Sequence, residues 1–149
     1  MPPKVIPTQF TKRNQYGDFK WMIQQEEYQN ALFIFNDDIE SIASYKNTKG
    51  NACIREYNSN NPNIEILQSA GIPTGSRKKK KGFQKLDSEA QEYIDTALEK
   101  IKGLIQKHSY ETVFYSADRD GILGSKLFKP CDDVIVYITA KILELEVEC

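Results

Sequence analysis

A continuous apolar segment that ends abruptly in polar residues constrains the fold of this chain more than any other feature. Residues Ala31–Phe35 read Ala-Leu-Phe-Ile-Phe and are followed at once by Asn36-Asp37-Asp38. A half-exposed strand alternates apolar and polar residues, whereas an unbroken apolar run is typical of a strand that is covered on both faces. The segment therefore predicts a central strand in a sheet that has helices on either side.

Two helices and a further strand are predicted in the second half of the chain. Apolar residues recur at three- and four-residue steps over Ser88–Lys107, which predicts a long amphipathic helix, and Ser88 with Gln91 fits a capping box. Residues 111–116 predict a strand, and another apolar stripe predicts a helix over about Asp133–Leu145. The fold class predicted from this order is α/β, with three layers and a mixed or mostly parallel sheet that has helices on both faces.

The first 18 residues differ from the rest of the chain because they hold three prolines and many polar side chains. We expect an irregular N-terminal arm over residues 1–18, with one strand near Lys4–Phe10, and a single domain over residues 19–149. Two short apolar runs leave alternatives open. Phe19–Ile23 fits a strand or a helical turn, and Asn51–Arg55 fits a strand or the first turn of a helix.

Composition excludes several classes of protein. The formal net charge is −1, from 20 Lys+Arg and 21 Asp+Glu, so a nucleic-acid partner is not expected. Three cysteines without a CxxC pair, and one histidine, predict neither a disulfide framework nor a metal site, and no cofactor is expected. No apolar stretch approaches the roughly 18 residues that cross a bilayer, so we expect no membrane partner and a cytoplasmic location.

Polar loops after the two predicted central strands contain candidate ligand-binding residues, and a glycine loop over residues 71–76 is a candidate third wall of the same site. Ligands of open α/β sheets bind beyond the carboxyl ends of the strands, and glycine lets backbone amides come close to a phosphate. Each loop also fits an ordinary turn. The residues singled out as ligand-binding are Asn36, Asp37, Gly71, Thr74, Gly75, Ser76, Ser116, Gly121, Gly124, Ser125 and Lys126.

The segment Arg77–Lys81 is a run of five cationic residues. Such a run contacts the phosphates of a nucleic acid or an anionic partner in some proteins, and in others it is a solvated loop. No aromatic residues interleave with it, which disfavours a platform for stacking single-stranded bases.

Three parts of the chain together resemble a group of small proteins of phages and large DNA viruses, with the layout of a reduced macrodomain. They are Ala31–Asp37, then Gly50–Arg55 with Ala70–Gly75, and finally Val113–Ser116 continuing through Gly121–Phe128. The resemblance implies a macrodomain-like fold that binds ADP-ribose. Asn36 and Asp37 would face the adenine or distal ribose, and Gly50 and Asn51 would lie near the distal ribose. Gly121–Lys126, which follow Ser116, would cradle the phosphates.

Three functional hypotheses follow. The first is a binding module for ADP-ribose or a related nucleotide or phosphorylated ligand, which the backbone amides of glycine loops would hold. The second is a hydrolase of ADP-ribosyl or nucleotide phosphate bonds at the same site, in which Asp118 or Asp120 would orient water. The third is a protein-interaction domain that presents the cationic run Arg77–Lys81 and the N-terminal arm to a partner. The oligomeric state is left open.

Overall fold

The computed structural model describes residues 2–42, 50–58, 67–124 and 129–148. Short 3-10 helices cover Glu26–Tyr28 and Gly50–Asn58. The remaining elements, in chain order, are β1 (Lys4–Thr8), α1 (Phe19–Met22), β2 (Ala31–Asp37), β3 (Ser69–Pro73), β4 (Gly75–Ser76), β5 (Lys81–Gly82), α2 (Ser88–Lys107), β6 (Thr112–Ser116) and α3 (Asp132–Glu148).

Four strands form one parallel sheet in the order β1-β6-β2-β3. Val113 of β6 lies opposite Val5 on one side and Leu32 on the other, while Ile34 of β2 lies opposite Ala70 of β3. The two short strands β4 and β5 form a separate antiparallel hairpin. The predicted α/β class with helices on both faces is confirmed, and the main sheet is entirely parallel.

Both faces of the sheet are covered, as the unbroken apolar run of β2 predicts. All five residues of Ala31–Phe35 are buried, and alternate side chains enter two different cores. Leu32 and Ile34 pack with α2 and α3, whereas Phe33 and Phe35 pack with α1 and the 3-10 helix Gly50–Asn58. Because successive side chains of a strand point to opposite faces of the sheet, β2 contributes to both cores.

The long helix α2 has the predicted bounds, but its N-cap differs from the predicted capping box. The Asp87 carboxylate accepts the amide of Ala90 at 2.9 Å, so Asp87 is the N-cap and Ser88 is the first helical residue. Gln91 instead donates its backbone amide to the Asp87 carbonyl. The capping box is wrong because an aspartate one residue earlier satisfies the free amides of the first turn.

The N-terminal residues belong to the sheet. The strand predicted near Lys4–Phe10 is confirmed as Lys4–Thr8, which pairs with β6 along its whole length. Phe19–Met22 is helical, with Asp18 as its N-cap, and Asn51–Arg55 lies in a 3-10 helix. Each of these two segments adopts the helical alternative because it must cover the face that carries Phe33 and Phe35. In the described ranges, no helix has the length and apolar character that a membrane span requires.

Candidate functional site

The carboxyl ends of the four parallel strands lie at one edge of the sheet, where neighbouring strands send the chain to opposite faces. After β1 and β2 the chain passes to the face of α1 and the 3-10 helix Gly50–Asn58. After β6 and β3 it passes to the face of α2 and α3. Loops that diverge in this way form the topological switch point at which open α/β sheets bind ligands. We call the polar residues gathered here the carboxyl-edge site: Asn36, Asn51, Thr74, Ser116 and the loop Asp118–Gly124.

Asn36 joins the loops that follow its two neighbouring strands. Its side-chain amide donates to the Gly124 carbonyl, and its side-chain oxygen accepts the hydroxyl of Thr74. A Cβ atom at Gly124 would lie 3.2 Å from the Cβ of Asn36, so a larger residue there would require Asn36 to shift by a few tenths of an ångström. The predicted residues Asn36, Thr74 and Gly124 are therefore in direct contact.

Asn51 holds together the loops on the other face of the sheet. Its side-chain oxygen accepts the amide of Phe19 at 3.0 Å, and its amide group donates to the Gly17 carbonyl and to the Ser116 hydroxyl. Gly50 and Asn51 thus open the 3-10 helix beside the end of β6. Ser116 Oγ accepts from Asn51 at 3.0 Å, and no described residue accepts the proton of its hydroxyl.

Asp37 pairs with an arginine that the sequence does not single out. Arg55 donates to both carboxylate oxygens of Asp37 and to the Ser41 carbonyl, and its guanidinium lies 4.9 Å from the centroid of the Phe35 ring. The two side chains are only 6% and 5% exposed. Nothing in the sequence around Arg55 indicates its burial, because Glu56 follows it and an asparagine precedes it in a mixed segment. A buried charge requires a partner, which Asp37 supplies. The carboxylate of Asp37 is neutralised from within the protein.

The loop after β6 is ordered by Asp118. One oxygen of its carboxylate accepts the amides of Asp120 and Ile122, and the Gly121 amide donates to the Asp118 carbonyl. Gly121 has a φ of +79°, which glycine adopts without strain. The hydroxyl of Tyr115 donates to the Gly121 carbonyl at 2.9 Å, and burial together with the charge of Asp118 raises the pKa of that phenol.

Gly71 and Gly75 are predicted to lie in a loop, but they lie in β3 and β4, against other atoms of the protein. A Cβ atom at Gly71 would come within 2.7 Å of Asp37 and of Phe35, and one at Gly75 would come within 2.5 Å of Gly82. Gly71 allows β3 to pass close to these β2 side chains, and Gly75 allows the β4–β5 hairpin to close. Steric fit inside the chain accounts for both glycines.

Ser76 and Glu40 fix the base of the β4–β5 hairpin. The hydroxyl of Ser76 donates to the Glu40 carboxylate, which also accepts the amide of Lys78 at 2.7 Å. Desolvation opposes ionisation of Glu40, but these hydrogen bonds outweigh it and lower the pKa of the carboxyl below its ordinary value. Glu40 is a second residue that the sequence analysis missed, and its distance of 36 residues from Ser76 left no local signal.

Cations surround the carboxyl-edge site on three loops. Lys12 and Arg13 are exposed in the loop after β1, and Arg77–Lys81 are exposed in the hairpin after β3. In the loop after β6, the side chain of Arg119 is 85% exposed and its Nε lies 4.0 Å from an oxygen of Asp120, which is itself 67% exposed. The positions of these cations favour an anionic ligand.

A separate cavity of about 970 Å³ lies beside β3. Of the predicted residues, Asp37 and Gly71 line it. Its other walls come mainly from apolar groups and from α2, including Phe35, Leu67, Tyr93 and Ala97. Because Asp37 and Arg55 neutralise one another there, this cavity is less suited to a phosphate than the carboxyl-edge site.

The structure brings most of the predicted residues to one edge of the sheet. Ser125 and Lys126 lie outside the described residues. Within the described part of the chain, no group of three or more His, Cys, Asp or Glu side chains could hold a metal ion.

No protein-family model, curated protein or solved structure matches this chain. The macrodomain resemblance therefore remains a hypothesis that rests on the residues quoted for it.

Proposed function

We propose that this protein binds ADP-ribose or a closely related phosphorylated nucleotide at the carboxyl-edge site. The observation that carries the proposal is the convergence of the polar loops after β1, β2, β3 and β6 on one switch point of a parallel sheet. Asn36 and Asn51 tie these loops to one another, so the site is organised before a ligand arrives. A preorganised site binds more tightly because less conformational entropy is lost.

Side chains, more than loop amides, would hold the ligand's phosphates. The amides of Asp120, Gly121, Ile122 and Gly124 already donate within their own loop or to Ser116. Arg119 presents an exposed guanidinium from the same loop, and such a group can bind a phosphate through two parallel hydrogen bonds. The hydroxyl of Ser116 adds a donor at the end of β6.

The proposal is for binding without turnover. Asp118, one of the two predicted catalytic residues, uses a carboxylate oxygen to order its own loop, which is a structural role. Asp120 is exposed beside Arg119. The hydrolase hypothesis and the protein-interaction hypothesis both stay predictions. Release of product from bound ADP-ribose conjugates would support the hydrolase hypothesis.

The first test is a thermal-shift panel with ADP-ribose, NAD, ATP, cyclic nucleotides and inorganic phosphate. A ligand at about 100 times its Kd adds about 2.7 kcal/mol of stability, which raises the unfolding temperature by several degrees in a domain of this size. We expect a shift with one nucleotide class. The absence of a shift with every compound would overturn the proposal.

Variants and spectral mapping then locate the ligand. Replacing Arg119 by Met should weaken binding about tenfold, which is about 1.4 kcal/mol, whereas the control Lys107→Met changes a cation at the far end of α2 and should leave binding intact. Amide resonances of residues 36–38, 50–51 and 116–124 should shift on titration. Shifts confined to residues 69–71 and 89–100 would place the ligand in the cavity beside β3 instead.

A further inference from the structure

The hairpin β4–β5 projects a concentrated positive charge from the edge of the carboxyl-edge site. The turn Arg77–Lys80 and the first residue of β5, Lys81, are all cationic, and all five side chains are exposed. We call this segment the basic hairpin. None of its five cations forms an ion pair with a described residue, so their charge is available to an outside partner.

The basic hairpin has a defined shape. Glu40 accepts the Ser76 hydroxyl and the Lys78 amide, and the Lys79 amide donates to Ser76 Oγ at 3.2 Å. The Lys80 amide donates to the Arg77 carbonyl, and Lys80 has a φ of +55°, which completes the turn. These hydrogen bonds use the amides of Lys78, Lys79 and Lys80, while the cationic side chains are exposed to solvent. The backbone of the turn is therefore fixed, and its charges can contact a partner.

The near-neutral net charge of the chain does not reveal the positive charge concentrated in the basic hairpin. The whole chain carries −1 and the basic hairpin contributes +5, so the rest of the chain carries −6. Composition predicts no nucleic-acid partner because the net charge adds the positive hairpin to a negatively charged remainder. The separation of charge creates a local positive field at one edge of the molecule.

Thr74 connects the carboxyl-edge site to the strands that carry the basic hairpin. Thr74 donates its hydroxyl to Asn36 in the site, and its backbone carbonyl accepts the amide of Phe83, which closes the base of the hairpin. Phe83 itself stacks on Tyr93, with ring centroids 6.3 Å apart, and is thereby engaged inside the protein. The hairpin therefore offers charge without a stacking surface for bases.

From this placement we propose that the basic hairpin binds the phosphate backbone of a single-stranded nucleic acid whose terminal nucleotide occupies the carboxyl-edge site. The inference rests on the proposed function and narrows its ligand class. The nucleotide that the site binds is the terminal nucleotide of a nucleic-acid strand. The site recognises the terminal nucleotide, and the hairpin holds the following phosphates independently of sequence.

The test compares an oligothymidylate of about ten nucleotides with ADP-ribose, measuring the Kd of each over a range of salt concentrations. The unmodified protein should bind the oligonucleotide at least tenfold more tightly than ADP-ribose at low salt, with an affinity that falls steeply as salt rises. The double variant Lys78→Gln, Lys79→Gln should lose about tenfold of that oligonucleotide affinity. Its log–log salt slope should be shallower by about 1.4, at about 0.7 per lost phosphate contact.

The matched control is Lys4→Gln, Lys107→Gln, which removes the same charge from the start of β1 and the end of α2, at the opposite edge of the sheet. It should bind like the unmodified protein. Equal losses in both double variants would overturn the inference, as would capture of the protein by phosphatidylserine vesicles without oligonucleotide binding. If ADP-ribose binds but the oligonucleotide binds no more tightly, the inference fails and the proposed function stands. If neither binds, the inference fails, and the proposed function fails with it when the other nucleotides of the thermal-shift panel also give no shift.

Discussion

At the scale of single residues, the buried pair of Asp37 and Arg55 is the most consequential contact. Replacing Arg55 by Met should lower the free energy of unfolding by about 3–5 kcal/mol, because a carboxylate is left buried without its partner. Equilibrium urea unfolding measures the change. The control is Arg119→Met, which removes a guanidinium that is 85% exposed and should leave stability nearly unaltered. Similar losses in both variants would contradict the buried pairing.

Tyr110 should make the protein sensitive to alkali. Burial raises the pKa of its phenol from 10.0 to about 12, and the hydroxyl donates to the Leu67 carbonyl. A group whose folded pKa is raised stabilises the protein fully below its unfolded pKa and loses that contribution as pH rises through the folded pKa. The free energy of unfolding should therefore fall between about pH 10 and 12, by up to about 1.4 kcal/mol per pH unit from this group.

Urea unfolding at several pH values tests the role of Tyr110. Tyr110→Phe removes the titrating phenol, so its stability should fall less steeply than that of the unmodified protein over the same range. The same replacement at Tyr16, which is 48% exposed, removes no buried hydroxyl and serves as the control. An unchanged slope in Tyr110→Phe would assign the alkaline loss to other groups.

At the scale of elements, the start of α2 separates two capping arrangements. Asp87→Ala should lower the free energy of unfolding by about 1 kcal/mol, because the carboxylate that accepts the Ala90 amide is lost. Ser88→Ala should have a smaller effect, since Ser88 already lies inside the helix. Thermal unfolding of the two variants decides between them. A larger loss from Ser88→Ala would restore the capping box that the sequence predicts.

At the scale of the whole molecule, the two faces of the sheet should differ in stability. Among the described residues, the core beneath α2 and α3 contains 18 buried residues and the core on the opposite face contains 8, covered by short helices. Elements that bury less apolar surface open at lower free energy. We expect the amides of β2 and β6 to exchange with solvent only on global unfolding, whereas those of Gly50–Asn58 exchange sooner. Native-state hydrogen exchange measures both, and equal protection would indicate a single cooperative unit.

Local pattern was sufficient for the elements that bury apolar surface. The period of three to four residues over Ser88–Lys107 predicts an amphipathic helix, and the run Ala31–Phe35 predicts a buried strand because it is short, wholly apolar and bounded by polar turn residues. The α/β class with helices on both faces follows from them. Phe19–Met22 and Asn51–Arg55 were left between two alternatives because each is short and contains polar residues, so neither shows a helical or a strand period.

The sequence by itself determined β1, β2, β6, the two long helices and the polar loops after β2 and β6, because those depend on periodicity and on residue types that end a strand. It did not determine β3, because residues 70–76 resemble a glycine loop until they pair with β2. Only the tertiary structure decided the partners. Arg55 lies 18 residues from Asp37, and Glu40 lies 36 residues from Ser76. Long-range pairs of polar groups follow from where elements pack in three dimensions, and no spacing along one chain encodes that.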